Sequence, residues 1–269
     1  MKHVYLSPHL DDAVLSCGGA IHQQVAGGEE VLVITLFAGD APGDRPLSEF
    51  ACGQPAHQIG APQPAALRRA EDAAALALLG AGAVHLGLLD AIYRRGRRDA
   101  GAAAGVWLYD DVQTLMEPAH PADPVTPTAL ADGVAAILAD EEAPLVYAPL
   151  AVGGHVDHRL VHAAARLLAE RGQRLAFYED YPYAEQLDPQ AIPPPVVAAT
   201  AEGENWSPEI VALAPADVAA KVAALAYYRS QLAVLFGEAE AMPSRVWSFA
   251  ASRSPEAALA ERIWWYARD

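Results

Sequence analysis

Residues 4–12 read VYLSPHLDD, and this stretch decides the fold. An apolar run stops at Pro8, three ionisable side chains follow within four positions, and the apolar pattern resumes at Ala13. We interpret this as a buried strand that ends in a polar turn and enters a helix. In an open α/β sheet, ligands bind at the carboxyl ends of the strands. Two aspartates beside a histidine there repel each other unless hydrogen-bond donors or a cation hold them, and a divalent metal suits that role.

Strand-like and helix-like stretches alternate along the rest of the chain, which is typical of α/β proteins. We predict strands at 3–7, 31–37, 84–88, 145–148 and 175–178, with an edge strand at 210–213. We predict helices at 13–26, 65–79, 128–140, 156–170, 217–232 and 256–267, and long loops at 39–64 and 91–127. These elements predict a mostly parallel sheet with helices on both faces. We expect one domain over 1–269, with a core of about 1–181 and a C-terminal elaboration of about 182–269.

Composition narrows the class of protein. The chain has 269 residues, 53% of them hydrophobic, with a formal net charge of −16 and a pI of about 4.8. This acidity argues against nucleic acid or an anionic membrane as a main partner. Cys17 and Cys52 cannot build a disulfide framework, so a metal would be held by nitrogen and oxygen. The chain shows no apolar leader and no apolar stretch of about 18 residues, so we expect a cytoplasmic protein.

The first motif is PHLDD at 8–12. If His9 and Asp12 bind one metal, Asp11 is left beside it as a base for the attacking water. The alternative is that Asp11 or Asp12 only caps the following helix. The motif alone favours neither.

The second motif, GGHVDH at 153–158, also follows a predicted strand and opens a helix. His155 and His158 can share a helix face, although one of them could instead cap the helix. Together the motifs offer His9, Asp12 and one of the two histidines as ligands, the layout of a catalytic zinc site. The other histidine could then stabilise an oxyanion or leaving group, tuned by Asp157. His158 and His162 are four residues apart, but the glutamate of a zinc-binding His-Glu-x-x-His motif is missing between them. We therefore predict that His162 is a partly buried helix residue.

These two motifs resemble those of the PIG-L (LmbE-like) family of zinc-dependent N-acetyl-sugar deacetylases. Most members have a Pro-His-x-Asp-Asp motif, often with Pro at x and Glu after it; this chain has Leu10 and Ala13 there, a departure that leaves the ligands intact. Further matches extend the resemblance over nearly the whole chain, namely Arg68 with Glu71, residues 178–183, Lys221, residues 228–231 and residues 261–264.

The resemblance implies a Rossmann-like sheet with the metal at its carboxyl edge. It implies His9, Asp12 and His158 as zinc ligands and Asp11 as general base. His155, protonated and supported by Asp157, becomes the electrostatic or general-acid partner. The implied reaction removes an N-acetyl group from a small-molecule amino sugar or its conjugate. Fe²⁺ can occupy such sites, and a homo-oligomer is compatible with the sequence.

Other charged residues have weaker assignments. Arg68 is predicted to hold a sugar hydroxyl or phosphate, with a solvated helix face as the alternative. Asp90 is predicted to line the pocket, with a turn-starting role as the alternative. The arginine-rich stretch at 93–98 is expected to be a solvated loop.

Two other functions compete with the deacetylase. A metal-dependent amidase acting on a larger glycoconjugate amide, similar to mycothiol-conjugate amidases, would use the same site. A non-catalytic nucleotide-binding module predicts a Gly-x-Gly-x-x-Gly turn after the first strand. Residues 7–13 contain no glycine, so this module ranks last.

Overall fold

A computed structural model describes residues 2–43, 46–54, 57, 64–139, 141, 143–186, 204–253, 256 and 258–268. Its strands are β1 Lys2–Ser7, β2 Glu30–Thr35, β3 Gly82–His85, β4 Leu145–Pro149, β5 Leu175–Tyr178, β6 Glu204–Ala212 and β7 Ala260–Arg268. Its α-helices are α1 Asp12–Ala26, α2 Glu49–Cys52, α3 Pro64–Leu79, α4 Val112–Leu115, α5 Pro127–Leu138, α6 Val156–Glu170, α7 Pro215–Leu225, α8 Leu232–Phe236 and α9 Met242–Ser252.

The described strands form one sheet in the order β3-β2-β1-β4-β5-β7-β6. The first five are parallel, and β7 runs antiparallel to both of its neighbours. Strand β1 lies between β2 and β4, pairing Tyr5 with Val33 on one side and with Tyr147 on the other. The predicted α/β, Rossmann-like, mostly parallel sheet is confirmed. The strand order reverses between β1 and β4, which is where ligands bind in such sheets.

The helices pack in two groups. Helices α1, α3 and α7 contact one another, and α5 packs on α6. The β1-α1-β2 and β4-α6-β5 crossovers progress in opposite directions across the sheet, so right-handed connections place α1 and α6 on opposite faces. Among the described residues, no helix combines the length and apolar character that a membrane crossing requires.

The C-terminal elaboration departs from the prediction. The helix predicted at 256–267 is wrong, because this segment contains β7, which pairs with β5 and β6. Its run of Ile263, Trp264 and Trp265 has the aromatic and β-branched composition that fits a sheet. The edge strand predicted at 210–213 is confirmed as the end of the longer β6. The helix predicted at 217–232 stops at Leu225, and α9 was not predicted.

The two predicted loops have different outcomes. The described part of 39–64 contains the single-turn helix α2, and residues 44–45, 55–56 and 58–63 of that prediction lie outside the described residues. The 91–127 stretch is irregular, as predicted, apart from α4 and short 3₁₀ turns. Both loops reach the carboxyl edge of the sheet, where they contribute to a cavity over β1 and β4.

Candidate metal centre and active site

In the turn after β1, neither aspartate side chain caps α1. Ser7 Oγ accepts the N–H of Ala13 at 3.0 Å and donates to the carbonyl of His9 at 2.7 Å. Asp11 makes no side-chain capping bond, and Asp12 Oδ2 accepts the N–H of His9 at 2.7 Å. The capping alternative therefore fails for both acids. Ser7, which sequence reasoning overlooked, holds the start of α1 instead.

The turn after β4 gives its two histidines different positions. His155 Nδ1 accepts the N–H of Asp157 at 3.2 Å, so His155 does cap α6. This leaves its Nε2 for other partners. His158 lies in the first turn of α6, and its side chain is 2% exposed. The capping alternative is therefore confirmed for His155 only.

Three predicted side chains converge where the two turns meet. Asp12 Oδ2 lies 3.2 Å from His9 Nδ1 and 3.4 Å from His158 Nε2. Ligand atoms of the three residues all lie within 4.8 Å of one another. Two imidazoles and a carboxylate are a donor set that suits a divalent metal. The cluster can thus hold such an ion.

Each imidazole of this cluster also has a carboxylate on its other nitrogen. His158 Nδ1 lies 2.6 Å from Asp180 Oδ1, and His9 Nε2 lies 3.1 Å from Asp157 Oδ2. Metal-binding histidines usually donate their second N–H to such a group, which orients the ring. This observation supports the fit to a metal. Asp180 was not predicted, although its position after β5 was the available signal.

A second group of potential ligands is formed by His9, His155 and Asp157. It shares His9 with the first group. The Asp157 carboxylate is already engaged by the Arg94 guanidinium, with Nη1 2.6 Å from Oδ1. We therefore favour the cluster of His9, Asp12 and His158 as the candidate metal centre.

Asp11 lies next to this cluster without belonging to it. Burial raises the pKa of the Asp11 carboxyl to about 7, although the Arg68 guanidinium opposes this shift. Arg68 Nη2 lies 3.5 Å from Asp11 Oδ2, while Arg69 points outward to Asp40. The alternative of a solvated helix face is therefore wrong for Arg68.

His155 was predicted to be protonated, whereas its surroundings favour the neutral ring. Burial, reinforced by the neighbouring His9, lowers the pKa of His155 to about 3. Because Nδ1 accepts a hydrogen bond, the neutral ring carries its proton on Nε2. The ring packs edge-on against His9, with centroids 4.9 Å apart. A neutral donor fits this environment better than an imidazolium.

Asp90 and Asp157 both approach His9 Nε2. Asp90 Oδ1 caps a 3₁₀ turn by accepting the N–H of Ile92 at 3.2 Å, and its Oδ2 lies 3.8 Å from His9 Nε2. Asp90 therefore serves as a turn residue and also lines the cavity. Asp157 was expected to support His155 with its side chain. The hydrogen bond that joins the two residues comes instead from the backbone N–H of Asp157, whose carboxylate faces His9 and Arg94.

The cavity above the cluster has a volume of about 290 Å³. The polar side chains that line it include Arg68, Asp90 and a His57–Tyr93 pair joined by a 2.7 Å hydrogen bond. Apolar side chains also line the cavity, namely Phe37, Phe50, Ile92, Val112, Leu115, Met116 and Leu235. Sequence reasoning did not identify the His57–Tyr93 pair, because the contact joins two separate loops.

Two further predictions concern buried basic residues. His162 is 2% exposed, and its Nδ1 donates to the carbonyl of Pro149 at 3.0 Å, so it is a helix residue as predicted but fully buried rather than partly buried. The expectation of a solvated loop at 93–98 is wrong for Arg94, which is 1% exposed. Arg94 is buried because carboxylates of Asp157 and Asp123 surround it.

Comparison with known proteins connects this geometry to a family. The PIG-L family profile, described as GlcNAc-PI de-N-acetylase, matches residues 4–169. The chain is 36% identical over 189 residues to a 2'-N-acetylparomamine deacetylase from Streptomyces fradiae; the alignment covers 70% of this chain and 59% of that relative. The chain is also similar to a zinc-inhibited form of teicoplanin deacetylase, with 29% identity and a TM-score of 0.79 over 100% of this chain and 99% of that one. An A40926 pseudoaglycone deacetylase has 30% identity and a TM-score of 0.75, with 99% and 97% covered.

Proposed function

The chain belongs to the PIG-L family of GlcNAc-PI de-N-acetylases, and we propose that it is a metal-dependent N-deacetylase that removes an N-acetyl or other N-acyl group from an amino sugar or amino-sugar conjugate. The observation that carries this proposal is the convergence of His9, Asp12 and His158 beside the buried carboxyl of Asp11. Relatives named as deacetylases of 2'-N-acetylparomamine, teicoplanin and A40926 pseudoaglycone support the reaction class.

His9, Asp12 and His158 would hold the metal, which we propose is Zn²⁺, with Fe²⁺ as an alternative occupant. When bound, such an ion supplies a Lewis acid and lowers the pKa of water. The donor set of two imidazoles and one carboxylate supports Zn²⁺. Because a teicoplanin deacetylase is described in a zinc-inhibited form, activity should be compared with Zn²⁺ and with Fe²⁺.

Asp11 acts as the general base in this proposal. A general base is most effective when its pKa lies near the working pH, and burial raises the pKa of Asp11 to about 7. Asp11 takes a proton from the attacking water and passes one to the departing amine. Arg68, whose Nη2 lies 3.5 Å from Asp11 Oδ2, holds this base in position.

His155 is the proposed partner of the acyl oxygen. Its Nε2–H donates to this oxygen as negative charge develops, a form of electrostatic stabilisation that needs no imidazolium. Asp157 contributes through its contact with His9. Arg68 and Asp90, which line the cavity, are the proposed contacts for substrate hydroxyl groups.

We also propose the partner class, the domain organisation and the cellular location of the protein. The substrate partner is a small amino-sugar conjugate rather than nucleic acid or membrane. The pairing of β7 with β5 supports one domain over 1–269. The chain has two cysteines, Cys17 and Cys52, and this sparse cysteine content suits the reducing cytoplasm. A homo-oligomer stays a prediction.

Replacing Asp11 with Asn tests the proposed reaction. We expect acetate release from N-acetyl amino-sugar substrates to fall about 10²–10⁴-fold, because the base is lost while the ligand set is retained. The parental chain and the variant should bind the same amount of Zn²⁺ per chain. Acetate release and metal content are measured on the same samples.

The matched control is Asp132→Asn, an exposed aspartate of α5 whose side chain is 62% accessible. It should keep the parental rate. Parental activity in Asp11→Asn would show that the base is assigned wrongly. Hydrolysis of larger amides without acetate release from N-acetyl sugars would favour the alternative, an amidase acting on glycoconjugates.

A further inference from the structure

Arg94 occupies a buried position between two carboxylates. Its side chain is 1% exposed, with Nη1 2.6 Å from Asp157 Oδ1 and Nε 3.2 Å from Asp123 Oδ2. The guanidinium also lies 5.1 Å from the ring of Phe37 and 5.2 Å from that of Tyr109. These carboxylates and aromatic rings enclose Arg94, so its side chain cannot bind a substrate in the cavity.

Both oxygens of the Asp157 carboxylate are held in place. Oδ1 faces Arg94, while Oδ2 accepts the N–H of Ala91 at 3.0 Å and lies 3.1 Å from His9 Nε2. Asp157 has no exposed surface. A buried carboxylate needs partners for both oxygens, and Arg94 supplies the partner on the side of Asp157 that faces away from His9.

The orientation of His9 follows from this contact. With Nε2 against Asp157, Nδ1 is the nitrogen that faces Asp12, at 3.2 Å. A rotated ring would turn Nδ1 away from the other ligands. The second partner of a metal-binding histidine sets both its tautomer and its ring position.

We propose that Arg94 is a positioning residue for the metal centre, acting on His9 through Asp157. This inference rests on the proposed function, because it takes His9, Asp12 and His158 as the ligands. Arg94 also ties the 91–127 loop to the site. Asp123, near the end of that loop, contacts Arg94 and accepts a 2.7 Å hydrogen bond from Tyr109.

The test is the metal affinity of the metal-free protein, measured by competition with a chromophoric chelator. Arg94→Met should bind Zn²⁺ about 10–100-fold more weakly than the parental chain, the usual effect of losing an outer contact to a metal-binding histidine. Arg94→Lys should also weaken binding, because one ammonium group cannot reproduce the planar fork that meets two carboxylates. The absorption spectrum of the Co²⁺-loaded forms should change in both variants, since it reports ligand geometry.

Arg253→Met is the matched control. Arg253 is 3% exposed and pairs with Glu179 at 3.3 Å, so this change also removes a buried guanidinium, but one that contacts neither the proposed ligands nor their carboxylate partners. It should lower stability while leaving Zn²⁺ affinity and the Co²⁺ spectrum unchanged. A general loss of packing would instead weaken metal binding in both Met variants, and this outcome overturns the proposal.

Parental Zn²⁺ affinity and a parental Co²⁺ spectrum in folded Arg94→Met also overturn it. If Arg94→Met does not fold, Arg94→Lys decides, and parental values in that variant overturn the proposal in the same way. Failure of the proposed function looks different. In that case the unmodified chain itself binds no metal at this cluster or releases no acetate.

Discussion

Three histidines on or next to α6 differ in pKa because their surroundings differ. Burial lowers the pKa of His155 to about 3 and that of His162 to about 4. Burial also acts to lower the pKa of His158, but the Asp12 and Asp180 carboxylates outweigh it and raise this pKa to about 10. Residue type alone therefore predicts little about charge. The neighbouring carboxylates separate His158 from the other two.

His162 makes a pH-dependent contribution to stability that can be measured. Its pKa is lower in the folded chain than in the unfolded chain, so its contribution is full above about pH 6.5 and falls as the pH drops toward 4. In His162→Asn, the stability loss between pH 7 and 4.5 should be smaller by about 2 kcal/mol. Urea denaturation of chelator-treated protein at both pH values measures this difference.

His120→Asn is the control for this experiment, because His120 is exposed. Its effect on the stability loss between pH 7 and 4.5 should be smaller than the effect of His162→Asn. If His162→Asn loses as much stability as the parental chain over the same interval, the buried neutral His162 is not the source of the pH dependence.

At the scale of single elements, α1 and β7 both depend on residues outside the element itself. The start of α1 was predicted to within one residue, yet its cap comes from Ser7 in the preceding strand. Strand β7 depends on its neighbours, because β5 and β6 flank it on both sides. Ala260 and Glu261 at the start of β7 have helical propensity, and pairing with β6 overrides that local preference.

Trp264 is the residue through which β7 should contribute most to stability. It is 1% exposed, and its Nε1 donates to Glu179 Oε1 at 3.0 Å. We expect Trp264→Ala to lower the free energy of unfolding by about 3–5 kcal/mol, because it leaves a cavity and a buried acceptor with one donor fewer. Urea denaturation followed by circular dichroism measures the change.

Tyr227→Ala is the comparison for Trp264→Ala, since Tyr227 is 40% exposed in the turn after α7. Its effect should stay within about 0.5 kcal/mol. Equal effects of the two substitutions would contradict the central position of Trp264 in the sheet.

At the scale of the whole molecule, a buried ion pair joins the C-terminal elaboration to the core. Lys221 Nζ lies 2.7 Å from Glu261 Oε1 and donates to the carbonyl of Ser16 at 3.3 Å. Glu261 also accepts the backbone N–H groups of Gly19 and Ala20 in α1. The pair therefore connects α7, β7 and α1, and we expect the chain to unfold in one cooperative transition.

Lys221→Met should lower the free energy of unfolding by about 3–5 kcal/mol, because it leaves the Glu261 charge buried without a cation. Adding Glu261→Gln should recover part of the loss by removing that charge. Denaturant titrations followed by fluorescence and by circular dichroism should stay coincident in all variants.

Arg171→Met provides the reference for that pair. Arg171 and Asp132 are 44% and 62% exposed, so breaking their contact should cost no more than about 1 kcal/mol. Two separate transitions in the parental chain would contradict the coupling of the elaboration to the core.

The sequence by itself determined the fold class and the ligand candidates. The apolar run of β1 and the acids after it are local patterns, and parallel strands bring their carboxyl ends to one edge wherever they lie in the chain. His9 and Asp157 are 148 residues apart, yet the adjacency of β1 and β4 brings them into contact. The strand pattern alone was therefore enough to join the two motifs into one site.

Only the tertiary structure decided what surrounds each of these residues. Burial and long-range partners made Arg94 an inner residue and Asp180 the partner of His158. They also turned the predicted last helix into β7. None of these outcomes is written in local sequence, because each depends on the dielectric, the charges and the hydrogen-bond partners that distant segments supply.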